Sequence, residues 1–210
     1  MSVENFQIHA PFGPRIFKTK IPEQIIENLN IYFEKLINDK KKLDEQDYGY
    51  KLAGNVTKEI KIEEEILFKS GWIDFLANAT RKYVKICAEK EITKFNIIDS
   101  WIVSQFKNEY NPTHWHGGHI SGAGFLKLPK SLGQTVQNNK MNVNGHLQFI
   151  HGSKQFLSKS IFDIKPKVGD FYIFPNFLMH HVFPFSSTDE ERRSVSFNAN
   201  IDENIYNVYI

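Results

Sequence analysis

The chain has 210 residues, 41 % of them hydrophobic and 14 % aromatic, and a formal net charge of +2. That length suits one domain burying about 70 % of the surface its unfolded form exposes, and the composition excludes a disordered chain. The near-neutral charge provides no field for nucleic acid or an anionic membrane, and no stretch approaches the ~18 apolar residues of a membrane span.

The N-terminus, Met1 to His9, lacks the basic and apolar regions of a signal peptide. Cys87 is the only cysteine, so no intrachain disulfide can form, and a cytoplasmic location is expected. Its apolar neighbours give it a core role.

Residues 1–95 read as a helical support region. Ile25, Ile26, Leu29, Phe33, Leu36 and Ile37 recur at helical spacing behind Pro22, which predicts a helix over about 22–40 with lysines 40–42 at its C-terminal end. Trp72, Phe75, Leu76, Ala79, Tyr83, Ile86 and Cys87 predict a second helix over about 70–90. Between them, 47–55 has no clear period and reads as loop or short strand.

From residue 96 the pattern shortens. Segments 97–107, 121–129, 145–150, 170–175, 180–185 and 192–201 are rich in Phe, Ile, Val and Tyr and are punctuated by Gly, Pro, Asn and Ser. Such spacing predicts a mainly β fold with flanking helices, a double-stranded β-helix or jelly roll over 96–210, within a single domain of 1–210. The polar stretch 130–144 predicts a long loop of the kind that serves as a lid.

The chemistry-bearing residues lie in this second half. His114 and His116 are spaced i, i+2, which on a strand places both imidazoles on one face. His180 follows the apolar run 169–175 and would arrive from a later strand. Imidazole is a good ligand for divalent transition metals, and an open iron site built on two histidines and a carboxylate leaves positions for co-substrate and oxygen. Here His116 occupies the place of that carboxylate. A three-histidine site, His114, His116 and His180, is therefore expected, with a carboxylate elsewhere as the alternative third ligand.

Three neutral ligands leave Fe(II) at +2, which favours a dianionic 2-oxo acid. Strand alternation turns His181 away; His119 is a candidate rim or substrate residue; His9, His146 and His151 take structural roles. The turn at 186–190 suggests a hairpin that would bring position 192 opposite 184, ~13 Å along the sheet from His180. Arg192 and Arg193 face opposite sides of their strand. One of them can grip a carboxylate, and alternation alone does not choose which.

The runs Asn111-Pro-Thr-His114-Trp-His116 with Ser121, Gly169 through Phe174-Pro175-Asn-Phe-Leu178-Met-His180-His-Val182, and Arg192-Arg-Ser194-Val-Ser196-Phe-Asn198 resemble a 2-oxoglutarate/Fe(II) oxygenase family of bacteria and phages. The resemblance covers the second half; in the first half it extends to little more than Gly71-Trp72. It implies Fe(II) and 2-oxoglutarate as cofactors, a double-stranded β-helix, and decarboxylation of 2-oxoglutarate to succinate with hydroxylation of an unidentified prime substrate by molecular oxygen. Its register selects Arg192 for the co-substrate and Ser194 as the serine of an Arg-x-Ser pair. Where that family often carries a larger aromatic residue, this chain has Gly122-Ala123-Gly124. The alternative reading is a cupin-like metal-binding jelly roll that does not use 2-oxoglutarate: a three-histidine dioxygenase, an isomerase or a non-catalytic binding module.

Overall fold

Alternation of inward and outward side chains organises the second half of the chain into two facing antiparallel sheets. The computed structural model describes residues 13–135, 137, 139–186 and 188–207; His9 and its expected structural role lie outside them. The strands are β1 (Phe17–Lys20), β2 (Lys58–Lys61), β3 (Phe95–Gln105), β4 (Asn111–His114), β5 (Ile120–Lys127), β6 (Leu147–Ile150), β7 (Ile161–Ile164), β8 (Asp170–Pro175), β9 (Met179–Val182) and β10 (Arg192–Ile201). One sheet has the order β1-β8-β5-β10-β3-β2 and the other β4-β9-β6-β7. Strands β3 to β10 thus pass back and forth between two four-stranded layers, with β6 and β7 paired within one of them, in the double-stranded β-helix expected of this half.

Along β10, Val195 and Phe197 face a large apolar cluster on the outer side of the six-stranded sheet. Arg192, Ser194 and Ser196 line the cavity between the sheets. On β8, Phe171 and Ile173 join the outer cluster, while Tyr172 and Phe174 join the inner one. These are the period-2 consequences of a sheet covered on both faces.

The first half covers the outer face. Helix α1 (Glu23–Leu36) buries Ile25, Leu29, Phe33 and Leu36, and α4 (Trp72–Ala88) buries Trp72, Leu76, Ala79, Thr80, Tyr83 and Val84. Phe171 meets Trp72 edge-on at 5.3 Å and Phe75 at 5.4 Å. Fully burying such side chains stabilises the fold by roughly 1.5–3 kcal/mol each. Gly122 and Gly124 make room for these rings, because a Cβ would lie 2.5 Å from Phe197 or from Phe171, respectively. The small residues there serve packing on the helix side of the sheet.

Several elements depart from expectation. The first helix stops at Leu36, and Lys40 begins a second helix, α2 (Lys40–Glu45), because the Asp39 side chain accepts a hydrogen bond from the Lys42 backbone N–H. Lysines 40–42 therefore sit in α2 and not at the end of α1. Two further helices, α3 (Glu64–Lys69) and α5 (Glu203–Tyr206), are short. Within 47–55 lie a bridge from Asp47 to Ile60 and a 3-10 turn at Gly49–Lys51.

The supporting half is not only helical. It contributes β1 and β2, which extend the larger sheet at its two edges. On α4, Ile86 is exposed. The described residues of 130–144 form neither helix nor strand and are tied through Leu132 and Asn144 to one another and to Ser186. Among the described residues no helix is long and apolar enough to cross a membrane.

Candidate active site

His114 and His180 are cross-strand partners at the junction of β4 and β9, so pairing sets their imidazoles side by side, with ring centroids 4.4 Å apart. His116 reaches the same point differently from what its spacing suggests. Strand β4 ends at His114, and His116 lies in the loop beyond it. Its backbone N–H donates to the Asn176 carbonyl at 3.0 Å, and the Asn176 side-chain amide donates to the His116 carbonyl at 3.1 Å. This two-point attachment to the β8–β9 turn aims the ring inward.

The three residues offer ligand nitrogens within 4.8 Å of one another. His114 Nδ1 lies 2.7 Å from the Pro112 carbonyl, and His180 Nδ1 lies 2.8 Å from the Leu178 carbonyl. A carbonyl only accepts, so Nδ1 carries the proton in both rings and Nε2 is left with a lone pair. The Nε2 atoms of His116 and His180 are 3.2 Å apart. Nitrogens bound to one divalent ion at ~2.1 Å and roughly 90° apart would sit about 3.0 Å from each other. Burial, reinforced by its two histidine neighbours, pushes the His116 pKa down to about 2; burial pushes that of His180 to about 3 and lowers that of His114. All three are neutral donors at physiological pH, and the donor set fits a divalent transition metal.

The opposite wall belongs to β10. Arg192, 1 % exposed, lines the same cavity as the three histidines, together with Trp101, Phe125 and Ser194. Its guanidinium donates to Gln105 Oε1 at 3.0 Å and to the Ser194 hydroxyl at 3.4 Å, and stacks over the Phe125 ring at 5.2 Å. Its Nε has no partner among the described residues. Desolvation lowers its pKa to about 10, which leaves it charged.

The hairpin expected to bring 192 opposite 184 does not form. Strands β9 and β10 belong to different sheets, and Arg192 pairs in register with Gln105 on β3. The arginine therefore faces the histidines across the gap between the sheets. Arg193 points the other way, ion-paired with Glu191 and Glu34 at 2.6 Å each and lying over Phe33.

His181 stays outside the cluster, with its Nδ1 3.3 Å from the Thr113 hydroxyl. His119 is not a rim residue: it is buried, its Nδ1 accepts from the Ile201 N–H at 3.1 Å, and its ring stacks on Tyr206. His146 is buried and His151 exposed, both away from the trio. Sequence reasoning missed Gln105, Trp101 and Asn176. The i, i+2 run Trp101-Val103-Gln105 could have marked one cavity-facing side of β3, but nothing in it distinguishes that side from the outer one.

Residues 99–198 match the model of a family described as "Putative 2OG-Fe(II) oxygenase". These residues are a 2OG-Fe(II) oxygenase domain. The oxygenase domain runs from within β3 through most of β10, and so contains the three histidines and Arg192. The activity class of the chain is accordingly that of an Fe(II)- and 2-oxoglutarate-dependent dioxygenase.

The fold of the oxygenase is shared with a prolyl-4-hydroxylase from Pseudomonas putida, at 12 % identity and a TM-score of 0.58 over 87 % of this chain and 91 % of that one. It is shared too with a viral collagen prolyl hydroxylase from Paramecium Bursaria Chlorella virus-1 in complex with 2OG, at 17 % identity and a TM-score of 0.52 over 88 % and 94 %. HygX from Streptomyces hygroscopicus, with nickel, 2-oxoglutarate and hygromycin B bound, is similar at 11 % identity and a TM-score of 0.56 over 88 % and 82 %. No curated protein matches the oxygenase.

Proposed function

We propose that His114, His116 and His180 hold one Fe(II), that Arg192 and Ser194 receive the far carboxylate of 2-oxoglutarate, and that the enzyme is a hydroxylase. The observation that carries this reading is a fully buried guanidinium facing three neutral imidazoles, with no carboxylate beside it among the described residues. A buried charge without a counter-charge is costly, and a bound dicarboxylate supplies the missing negative charge. With its 2-oxo acid end at the histidines and its far end at Arg192, the co-substrate would span the two sheets.

When bound, iron couples oxidative decarboxylation of 2-oxoglutarate to oxidation of a second substrate by molecular oxygen. The chain's own residues orient and enclose. The Pro112 and Leu178 carbonyls fix the tautomers of two imidazoles. Phe125, Leu147, Phe174 and Val182 line the space between metal site and arginine and keep water from it. A planar guanidinium offers paired donors to a carboxylate, while Gln105 holds its plane. A jelly roll that binds metal without 2-oxoglutarate would have no use for this arginine.

Two structural relatives are titled prolyl hydroxylases and a third carries hygromycin B, so the same fold serves unlike substrates. The proposal names a reaction and a co-substrate; the prime substrate is a second molecule that enters from outside. We further place the protein in the cytoplasm, as its lone, half-buried Cys87 requires no oxidising compartment. We take 1–210 as one domain, because α1 and α4 share an apolar cluster with the larger sheet. The test is anaerobic addition of Fe(II) and then 2-oxoglutarate, read by a visible metal-to-ligand charge-transfer band. A band in the wild type that is lost in His180→Ala and needs far more 2-oxoglutarate to develop in Arg192→Ala is expected; metal binding without any band in the wild type would favour the cupin-like alternative.

A further inference from the structure

His119 and the C-terminal segment, which the proposed chemistry does not use, form a connected structure behind His116. The Tyr206 hydroxyl on α5 donates to Asn176 Oδ1 at 3.3 Å, and the Asn176 amide in turn donates to the His116 carbonyl at 3.1 Å. The Tyr206 ring is stacked on His119 at 4.0 Å with 9° between planes. His119 is itself fixed at both ring nitrogens: Nδ1 accepts from the Ile201 N–H at 3.1 Å, and Nε2 lies 3.4 Å from a Glu203 carboxylate oxygen. Backbone bonds close the ring of contacts, from His119 N–H to the Ala199 carbonyl at 3.0 Å and from Asn176 N–H to the His119 carbonyl at 3.2 Å. The loop between His116 and His119 is thus pinned at both ends, by Asn176 and by the C-terminal segment.

Of the three clustered histidines, His116 alone stands outside a strand. His114 and His180 are placed by the β4–β9 pairing, whereas His116 depends on contacts beyond the sheet. Gly117 and Gly118 follow it directly, with Gly118 at φ +85°, so the local backbone has little stiffness of its own. We infer that Asn176 and Tyr206 are positioning residues for the metal site, holding the His116 loop through the Tyr206-to-Asn176-to-His116 hydrogen-bond chain so that its imidazole stays beside those of His114 and His180. The C-terminal helix α5 thereby becomes part of the metal site without touching the metal. This inference rests on the proposed three-histidine site.

The probe is Co(II), titrated anaerobically into the full-length protein by calorimetry and by its visible ligand-field spectrum. Asn176→Ala keeps the backbone bonds of residue 176 but removes the amide that holds His116. It should weaken Co(II) about tenfold or more and shift the spectrum, as loss of a group orienting a ligand typically does. Tyr206→Phe removes one hydroxyl and keeps the stacking on His119. It should weaken Co(II) by a smaller factor, roughly two- to fivefold, and speed hydrogen exchange of the His116 amide in the metal-free protein. If Asn176→Ala does not fold, Tyr206→Phe carries the test alone. Wild-type Co(II) affinity and spectrum in the folded variants would overturn the positioning role while leaving the metal site intact. Failure of the wild-type protein to bind Co(II) would overturn the metal reading itself.

Discussion

Arg192 and Gln105 face each other as register partners on β10 and β3, and the guanidinium donates to the amide oxygen at 3.0 Å inside the cavity. An amide can orient a guanidinium but cannot neutralise it. Arg192→Ala should therefore weaken 2-oxoglutarate by roughly ten- to several-hundred-fold, as hydrogen bonds to charged groups contribute ~1.5–3 kcal/mol and each 1.4 kcal/mol is tenfold. Arg192→Lys should restore only part of this, because a point charge replaces a fork. Gln105→Ala should cost about tenfold or less. Anaerobic titration of the Fe(II)-loaded protein with 2-oxoglutarate measures all three, and unchanged affinity in Arg192→Ala would remove the arginine from the co-substrate site.

One residue on, the expected effect reverses. Arg193 is buried against Phe33, with Glu34, Glu191 and Asn30 as polar partners. Removing it leaves Glu191, itself largely buried, without its main counter-charge. Arg193→Ala should lower unfolding stability by ~3 kcal/mol in a denaturant melt. The folded fraction should bind 2-oxoglutarate as the wild type does, and a loss of affinity without a loss of stability would contradict this division of labour.

Single alanine substitutions of His114, His116 and His180 should each lower stoichiometric Fe(II) binding by a large factor, measured on apo-protein prepared with a chelator. Their melting curves in the absence of metal should stay close to wild type. His181→Ala, which alters a neighbour on the other face of β9, should leave Fe(II) binding unchanged. Normal metal binding by His116→Ala would mean that a carboxylate supplies the third ligand.

Glu59 on β2 predicts a pH effect on stability. It is buried with neither carboxylate oxygen hydrogen-bonded among the described residues. Burial lifts its pKa to about 7; the Asn111 side chain offsets part of this, and the charge of Asp47 adds to it. In the unfolded chain the group ionises near its ordinary value of 4.5. The unfolded state therefore loses its proton first, and stability falls as pH rises from about 4.5 to about 7. Glu59→Gln should match the wild type at pH 4 and exceed it at pH 8 by at most ~3 kcal/mol, read from melts across that range. A gap that does not depend on pH would mean that Glu59 is not the titrating group.

The strands with strong alternation or long apolar runs, β3, β5, β8 and β10, were legible in the sequence, and so were the buried faces of α1 and α4. Strand β4 could be read only from its histidine spacing, since it is four residues long and contains Pro112, which its place at the edge of a sheet tolerates. Strand β2, Lys-Glu-Ile-Lys, shows no apolar alternation because its buried side includes Glu59. The histidine trio could be read from spacing, although a loop and not a strand delivers His116. The hairpin expected between residues 184 and 192 rests on local turn residues alone. Here β9 and β10 cross between layers whereas β6 and β7 stay in one, and no short-range signal distinguishes the two cases.

The match to the oxygenase family begins at residue 99, but the larger sheet does not end there. Its two rims are closed by β1 and β2, both drawn from before residue 96. A fragment of residues 96–210 would leave β8 and β3 as open edges and strip α1 and α4 from an apolar surface, inviting aggregation through both. Such a fragment should precipitate on expression even with every proposed ligand in place. The stretch that matches the family is thus smaller than the sheet that carries the site.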